Sequence, residues 1–273
     1  MKVRRRTLPY GWYPDSERKV IENISQWEKE TGEGKKSCGR AGIAPHAGWF
    51  FSGRLAWRVV SGLAPADTIV VLGGHLSPRD APLCAGEDAF ETPCGLLQAD
   101  KTLRDRIAAE IGALPDDYPD NTVEVQLPLV KAAFPRARVV CLRVPPASAA
   151  EAVGKLLAGL AGEGASVAVL GSTDLTHYGP NYGFSPRGTG DEAVDWVRNV
   201  NDRNFLDAAV RRDARNIIDL GVREKAACSS GAAAGAAAFA AGLGLGGELL
   251  EYATSLDRHR SSSFVGYGAV LYG

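Results

Sequence analysis

Three short apolar runs constrain this chain more than any other feature: Thr68-Ile69-Val70-Val71-Leu72, Arg138 to Val144, and Ser166 to Leu170. A strand with one face in water alternates polar and apolar residues, whereas a strand covered on both faces stays apolar along its length. Between and around these runs lie segments with helical spacing. Val20, Ile24 and Trp27 share one face of a helix from Glu17 to Glu30, and further helices are predicted over Arg54 to Leu63, Asp100 to Ile111, Ser148 to Leu160, Asp191 to Arg212 and Cys228 to Ala241. The last of these is built from alanine and glycine, side chains that permit close backbone approach. A short apolar run at Ala41-Gly42-Ile43-Ala44 stops at Pro45, and two late strands are expected near Leu249 to Thr254 and Phe264 to Leu271. Apolar strands alternating with helices predict an α/β fold with a largely parallel central sheet flanked by helices. With no disordered linker and no repeat, residues 1–273 are read as a single layered domain.

Composition narrows the function classes. A formal net charge of -1 gives no electrostatic footprint for nucleic acid, and the cluster Lys2, Arg4, Arg5 and Arg6 is read as a solvated face. No apolar stretch reaches about 20 residues, so no membrane association is expected. The five cysteines (Cys38, Cys84, Cys94, Cys141, Cys228) contain no CxxC pair, which favours reduced thiols and a cytoplasmic location. The stretch Thr31 to Ser37 is a polar loop, and Lys29 stands where a phosphate-binding loop would need its first glycine.

The chain has only four histidines, and three follow predicted strand ends: His46 in Pro45-His46-Ala47-Gly48, His75 after Gly73-Gly74, and His177 in Ser172-Thr173-Asp174-Leu175-Thr176-His177. In α/β sheets ligands gather beyond the carboxyl ends of strands. Asp174 could bind metal or orient an imidazole, and His177 could act as an acid or base near neutral pH. The plainer reading makes Ser172, Thr173 or Asp174 a helix cap. Cys228 at a helix N-terminus would have its thiolate favoured; alternatively it is a small buried hydrophobe. His259, in Asp257-Arg258-His259-Arg260, reads as a surface-loop residue. Asp120 or Thr122 could cap a helix that follows, while Glu124 could either support the site or serve structure alone.

Eight segments in order resemble the Memo family, whose prokaryotic members are called AmmeMemoRadiSam system protein B. They are Trp12-Tyr13-Pro14, Pro45-His46-Ala47-Gly48 with Ser52-Gly53, Gly74-His75, Glu91 to Gly95, Val123 to Pro128, Ser172 to Gly179, Ala227 to Gly231, and Val265-Gly266-Tyr267. The resemblance implies a fold similar to class III (LigB-type) extradiol dioxygenases, which are related non-haem iron enzymes. It also implies His46, His75 and Cys228 as metal ligands, with Asp174 and His177 close by. Prokaryotic members are associated with a radical SAM enzyme and an AMMECR1-like protein. The family's usual Glu-His-Ser is Asp120-Asn121-Thr122 here, and Asn121 cannot shuttle a proton.

The expectation is therefore a cytoplasmic metal-binding redox protein, oxygenase-like, acting on a small organic substrate. Its catalytic pair would be His177 and Asp174. Iron(II) is the expected ion, with copper or zinc as competitors for a site softened by thiolate. Two other readings stand beside it: a non-catalytic metal- or peptide-binding adaptor on an enzyme-like fold, and a metal-independent hydrolase using Cys228 with His177.

Overall fold

The computed structural model describes residues 1–31 and 38–273, so the polar-loop reading of Thr31 to Ser37 falls outside the described residues from position 32 onward. In chain order the strands are β1 (Val3–Arg4), β2 (Ala41–Ala44), β3 (Thr68–Gly73), β4 (Leu83–Cys84), β5 (Ala89–Thr92), β6 (Gly95–Gln98), β7 (Leu114–Pro115), β8 (Arg138–Arg143), β9 (Val167–Ser172), β10 (His177–Tyr178), β11 (Gly247–Thr254) and β12 (Phe264–Tyr272). The helices are α1 (Glu17–Thr31), α2 (Trp49–Gly62), α3 (Lys101–Ile111), α4 (Asn121–Glu124), α5 (Leu127–Ala133), α6 (Ser148–Gly162), α7 (Asp191–Trp196), α8 (Asp202–Val210), α9 (Ala214–Arg223) and α10 (Ser230–Gly242). A π-helical turn, Val197–Asn201, joins α7 to α8.

The large sheet runs β10-β12-β2-β9-β3-β8-β4-β7, with β11 also paired along β12. It is mixed, which corrects the expectation of a largely parallel sheet. Among the described residues four of its pairings are parallel (β2 with β9, β3 with β9, β3 with β8, β4 with β7) and four are antiparallel (β10, β11 and β2 with β12, and β4 with β8). The cause is connection length. Crossover helices return the chain to the same end of the sheet and produce parallel neighbours, whereas the short link from β11 to β12 reverses it at once. A second, three-stranded sheet has the order β1-β5-β6, and the residue after β6, Ala99, forms an isolated parallel bridge with Val139 of β8.

Both faces of the large sheet are covered. Along β3 the residues Val70 and Leu72 pack into a core with Val153 and Leu157 of α6, Phe205 of α8 and the alanines of α10. Their neighbours Ile69 and Val71 face the other way, toward Leu55 and Val59 of α2, Leu129 of α5 and Phe90 of β5. This two-sided burial explains why β3, β8 and β9 carry no polar alternation.

Boundaries shift where packing overrides local signals. Helix α2 begins at Trp49, five residues before the expected Arg54, because Trp49 is itself core. Helix α9 was not expected, and α10 starts at Ser230, so Cys228 lies ahead of the helix and not within it. No helix among the described residues is long and apolar enough to cross a membrane.

Candidate metal centre

Parallel pairing puts the carboxyl ends of β2, β9 and β3 side by side, and the site is built from the residues that follow them. Past Ala44 comes His46, past Gly73 comes His75, and past Ser172 comes Asp174. The loop ahead of α10 is strapped across these ends: the Cys228 N–H donates to the Asp174 carbonyl at 3.2 Å, and the Ser229 N–H to Thr173 Oγ1 at 3.0 Å. The glycine pair before His75 allows this closeness. A Cβ on Gly74 would lie 2.4 Å from the Ser229 side chain, and one on Gly73 2.3 Å from Thr122 Oγ1.

One ligand atom each from His46, His75 and Cys228 converges within 4.8 Å. The Cys228 Sγ is 3.2 Å from His46 Nε2, and the two imidazoles meet edge to face with centroids 5.3 Å apart. Metal–ligand bonds of about 2.0–2.3 Å leave donor atoms roughly 3–4 Å from one another, so the spacing suits a transition-metal ion. Two imidazoles and a thiolate are also the chemically appropriate donors.

Each imidazole is oriented from behind. His46 Nδ1 lies 3.2 Å from Ser172 Oγ, which accepts from Gln126 Nε2 at 3.0 Å; Gln126 also donates to the Pro45 carbonyl at 2.8 Å. His75 Nδ1 is 3.3 Å from Asp120 Oδ2. Asp174 is not a cap for its own segment. Its Oδ1 accepts the backbone N–H groups of His46 (2.7 Å) and Ala47 (3.2 Å), which fixes the loop entering α2. Its Oδ2 lies 3.8 Å from His177 Nε2 and 4.0 Å from His46 Nε2. His177 Nε2 is buried without a hydrogen-bond partner among the described residues, as an atom meant for a ligand would be.

The charges are coupled. Burial works to raise the Cys228 thiol, but His46, His177 and His75 outweigh it and hold the group well below its usual range. Burial works to lower the imidazoles, and the Asp120 and Cys228 contacts reverse this for His75, pushing it up to about 10. His177 is likewise pushed up to about 10 by Asp174 and Cys228 against burial, and His46 is raised by Cys228 and Asp174. Three imidazoles thus favour the thiolate, a contribution the sequence reading, which looked only to the N-terminus of α10, did not include.

His46, His75, Asp174 and His177 line a cavity of about 340 Å³ whose walls include Trp12, Phe51, Tyr182 and Tyr267. Asn121 lines it, as does His259, so all four histidines of the chain face one space. His259 is exposed, as expected of a surface loop, but it was missed as a cavity residue. Nothing local distinguishes it; the hairpin from β11 to β12 brings it there. Glu124 resolves as an anchor for the N-terminal segment. It accepts from Thr7 N, Thr7 Oγ1, Leu8 N and Tyr13 OH, the last at 2.7 Å, and so holds Trp12 against the cavity.

A family model described as Memo-like protein matches residues 4–271. A MEMO1 family protein of Thermococcus onnurineus is 28% identical, with 99% of each chain covered, and one of Methanosarcina acetivorans is 31% identical, with 84% of each covered. The crystal structure of an uncharacterized protein, JW3007, from Escherichia coli K12 shares the fold with a TM-score of 0.57 at 12% identity, covering 85% of this chain and 98% of that one.

Proposed function

The chain belongs to the Memo-like protein family, and on that premise we propose that it is a metal-dependent redox protein, an iron(II) oxygenase-like enzyme acting on a small organic substrate. The observation that carries this reading is the convergence of His46, His75 and Cys228, with the two imidazoles lining an open cavity and the thiol set behind them. Two neutral donors and one anionic donor leave coordination positions free, which is the logic of non-haem iron sites that bind dioxygen and substrate together. Bound there, the ion would supply Lewis acidity and a redox couple.

The protein's own residues would do the rest. Asp174 holds the His46 loop by its backbone and keeps a carboxylate oxygen beside His177. His177, with its Nε2 unpartnered and its ring 5.0 Å from that of Tyr182, is placed to exchange a proton with a substrate in the cavity. Trp12, Phe51 and Tyr267 provide apolar walls, while Asn121, His259, Ser261 and Ser263 offer polar contacts.

The nearness of Cys228 Sγ to His46 Nε2 also favours a second reading, a thiol hydrolase. Against it, the cavity wall is formed by the imidazoles, and Cys228 is not part of that wall among the described residues. The two separate by experiment. Anaerobic reconstitution with iron(II) should load one ion into the native protein and far less into His46→Ala and Cys228→Ser. Equal loading of all three would sink the ligand assignment, and metal-independent ester hydrolysis lost in Cys228→Ser would favour the thiol hydrolase.

A further inference from the structure

His75 sits at φ 58°, a left-handed backbone conformation uncommon outside glycine. One short helix contacts the segment on both sides. Thr122 Oγ1 accepts the N–H of Gly74 at 3.0 Å, and Asp120, the residue capping α4, reaches the His75 imidazole. The two oxygens of Asp120 are divided between these tasks. Oδ1 caps the helix by accepting from Thr122 N at 2.9 Å, and Oδ2 is shared between His75 Nδ1 and Arg143 Nη1, each at 3.3 Å.

Arg143 is itself fixed. Asp116 accepts from its Nε at 3.1 Å and its Nη2 at 2.8 Å, a forked pair that defines the guanidinium plane. Asp116 also lies 3.8 Å from Arg4, which pairs with Glu87 at 2.9 Å. The result is a line of alternating charge, Glu87, Arg4, Asp116, Arg143, Asp120, ending on His75. Glu87, Asp116 and Arg143 are buried, so the line is held in low dielectric. Lys2 also pairs with Glu87 at 3.2 Å, so the far end of the line is neutralised and the Asp120 carboxylate is the charge that adjoins the imidazole.

We infer that Asp120 is a positioning residue of the metal centre: it grips His75 by Nδ1, delivering Nε2 to the ion, and Arg143 fixes Asp120 in turn. A carboxylate behind a metal-bound imidazole sets its tautomer and ring plane and strengthens the other nitrogen as a donor. The inference rests on the metal reading above, and its test separates the two.

Asparagine caps helices about as well as aspartate, so Asp120→Asn keeps the fold of α4 and removes the carboxylate from His75. Cobalt(II) affinity, measured against a competing chelator, should fall about 10- to 100-fold in Asp120→Asn. The cobalt absorption bands should move as well, which a purely structural role would not cause. Equal affinity and identical spectra in the two proteins would overturn the inference and leave the metal reading intact. If the native protein binds no cobalt(II) or iron(II), the metal reading falls. The His75 ring resonances of the metal-free proteins then decide: a displacement in Asp120→Asn supports the positioning role, and unchanged signals overturn it.

Discussion

Burial alone would keep the Cys228 thiol protonated, yet three imidazoles surround it and reverse the balance. The other affected cysteines show the opposite case: burial pushes Cys84 up to about 11 and also raises Cys94 and Cys141, and the cations near them (Arg104, Lys131 and Arg4) do not outweigh it. The metal-free protein should therefore show thiolate ultraviolet absorbance that persists well below the ordinary thiol range of about 8.5 and disappears in Cys228→Ser. His46→Ala should push that titration upward, because it removes the nearest compensating charge. A thiol that titrates in the ordinary range in both proteins would refute this account. The sequence marked Cys228 as a candidate through its place before a helix. The contribution of the imidazoles is invisible locally, since His46 and Cys228 are 182 positions apart and meet only when β2 and the loop ahead of α10 share one end of the sheet.

At the scale of elements, α10 shows how composition becomes geometry. Its residues from Ser230 to Ala240 are all buried, between the sheet and helices that include α6. Small side chains let the two helices touch backbone to backbone. A Cβ on Gly154 of α6 would lie 2.4 Å from the Gly235 carbonyl oxygen, 2.6 Å from Ala238 Cβ and 2.8 Å from Phe239 N. Alanine gains up to about 1 kcal/mol over glycine from helix propensity, but here it meets atoms that cannot turn aside. Gly154→Ala should thus lose about 1–3 kcal/mol in urea unfolding. A variant as stable as the native protein would show that the helices can slide apart. The alanine-glycine run made close packing on the sheet legible, and a Cβ on Gly171 of β9 would indeed lie 2.7 Å from the Ala232 carbonyl oxygen; the contact with α6 was not legible. The π turn after α7 was not legible: Asp191 to Arg212 reads as one uniform helix. In the structure Asn201 ends the π turn and Asp202 begins α8, and both grip Thr176, beside His177.

For the whole molecule, Asp202 ties stability to pH. It is fully buried, accepts from Thr176 N at 3.0 Å and Tyr252 OH at 2.8 Å, and burial pushes its carboxyl up to about 7. A carboxyl whose folded value exceeds its unfolded one lends stability that is complete below about pH 4 and lost as pH rises toward 7. At about 1.4 kcal/mol per pH unit, the loss across that window is about 4 kcal/mol. Asp202→Asn should lack it, so the difference in unfolding free energy between variant and native protein should shift by that amount in the variant's favour between pH 4 and pH 8. Parallel curves would refute the assignment. What the sequence determined by itself was whatever burial writes locally: which runs are strands, which faces of the helices are apolar, and that His46, His75 and Asp174 follow strand ends. Strand direction at the sheet's margins, the approach of His259 to the cavity, the hold of Asp120 on His75 and the anchoring of the N-terminal segment by Glu124 were decided only by tertiary structure. Hydrophobic periodicity is a property of neighbours along the chain, whereas these features depend on which loops meet across the sheet once it has formed.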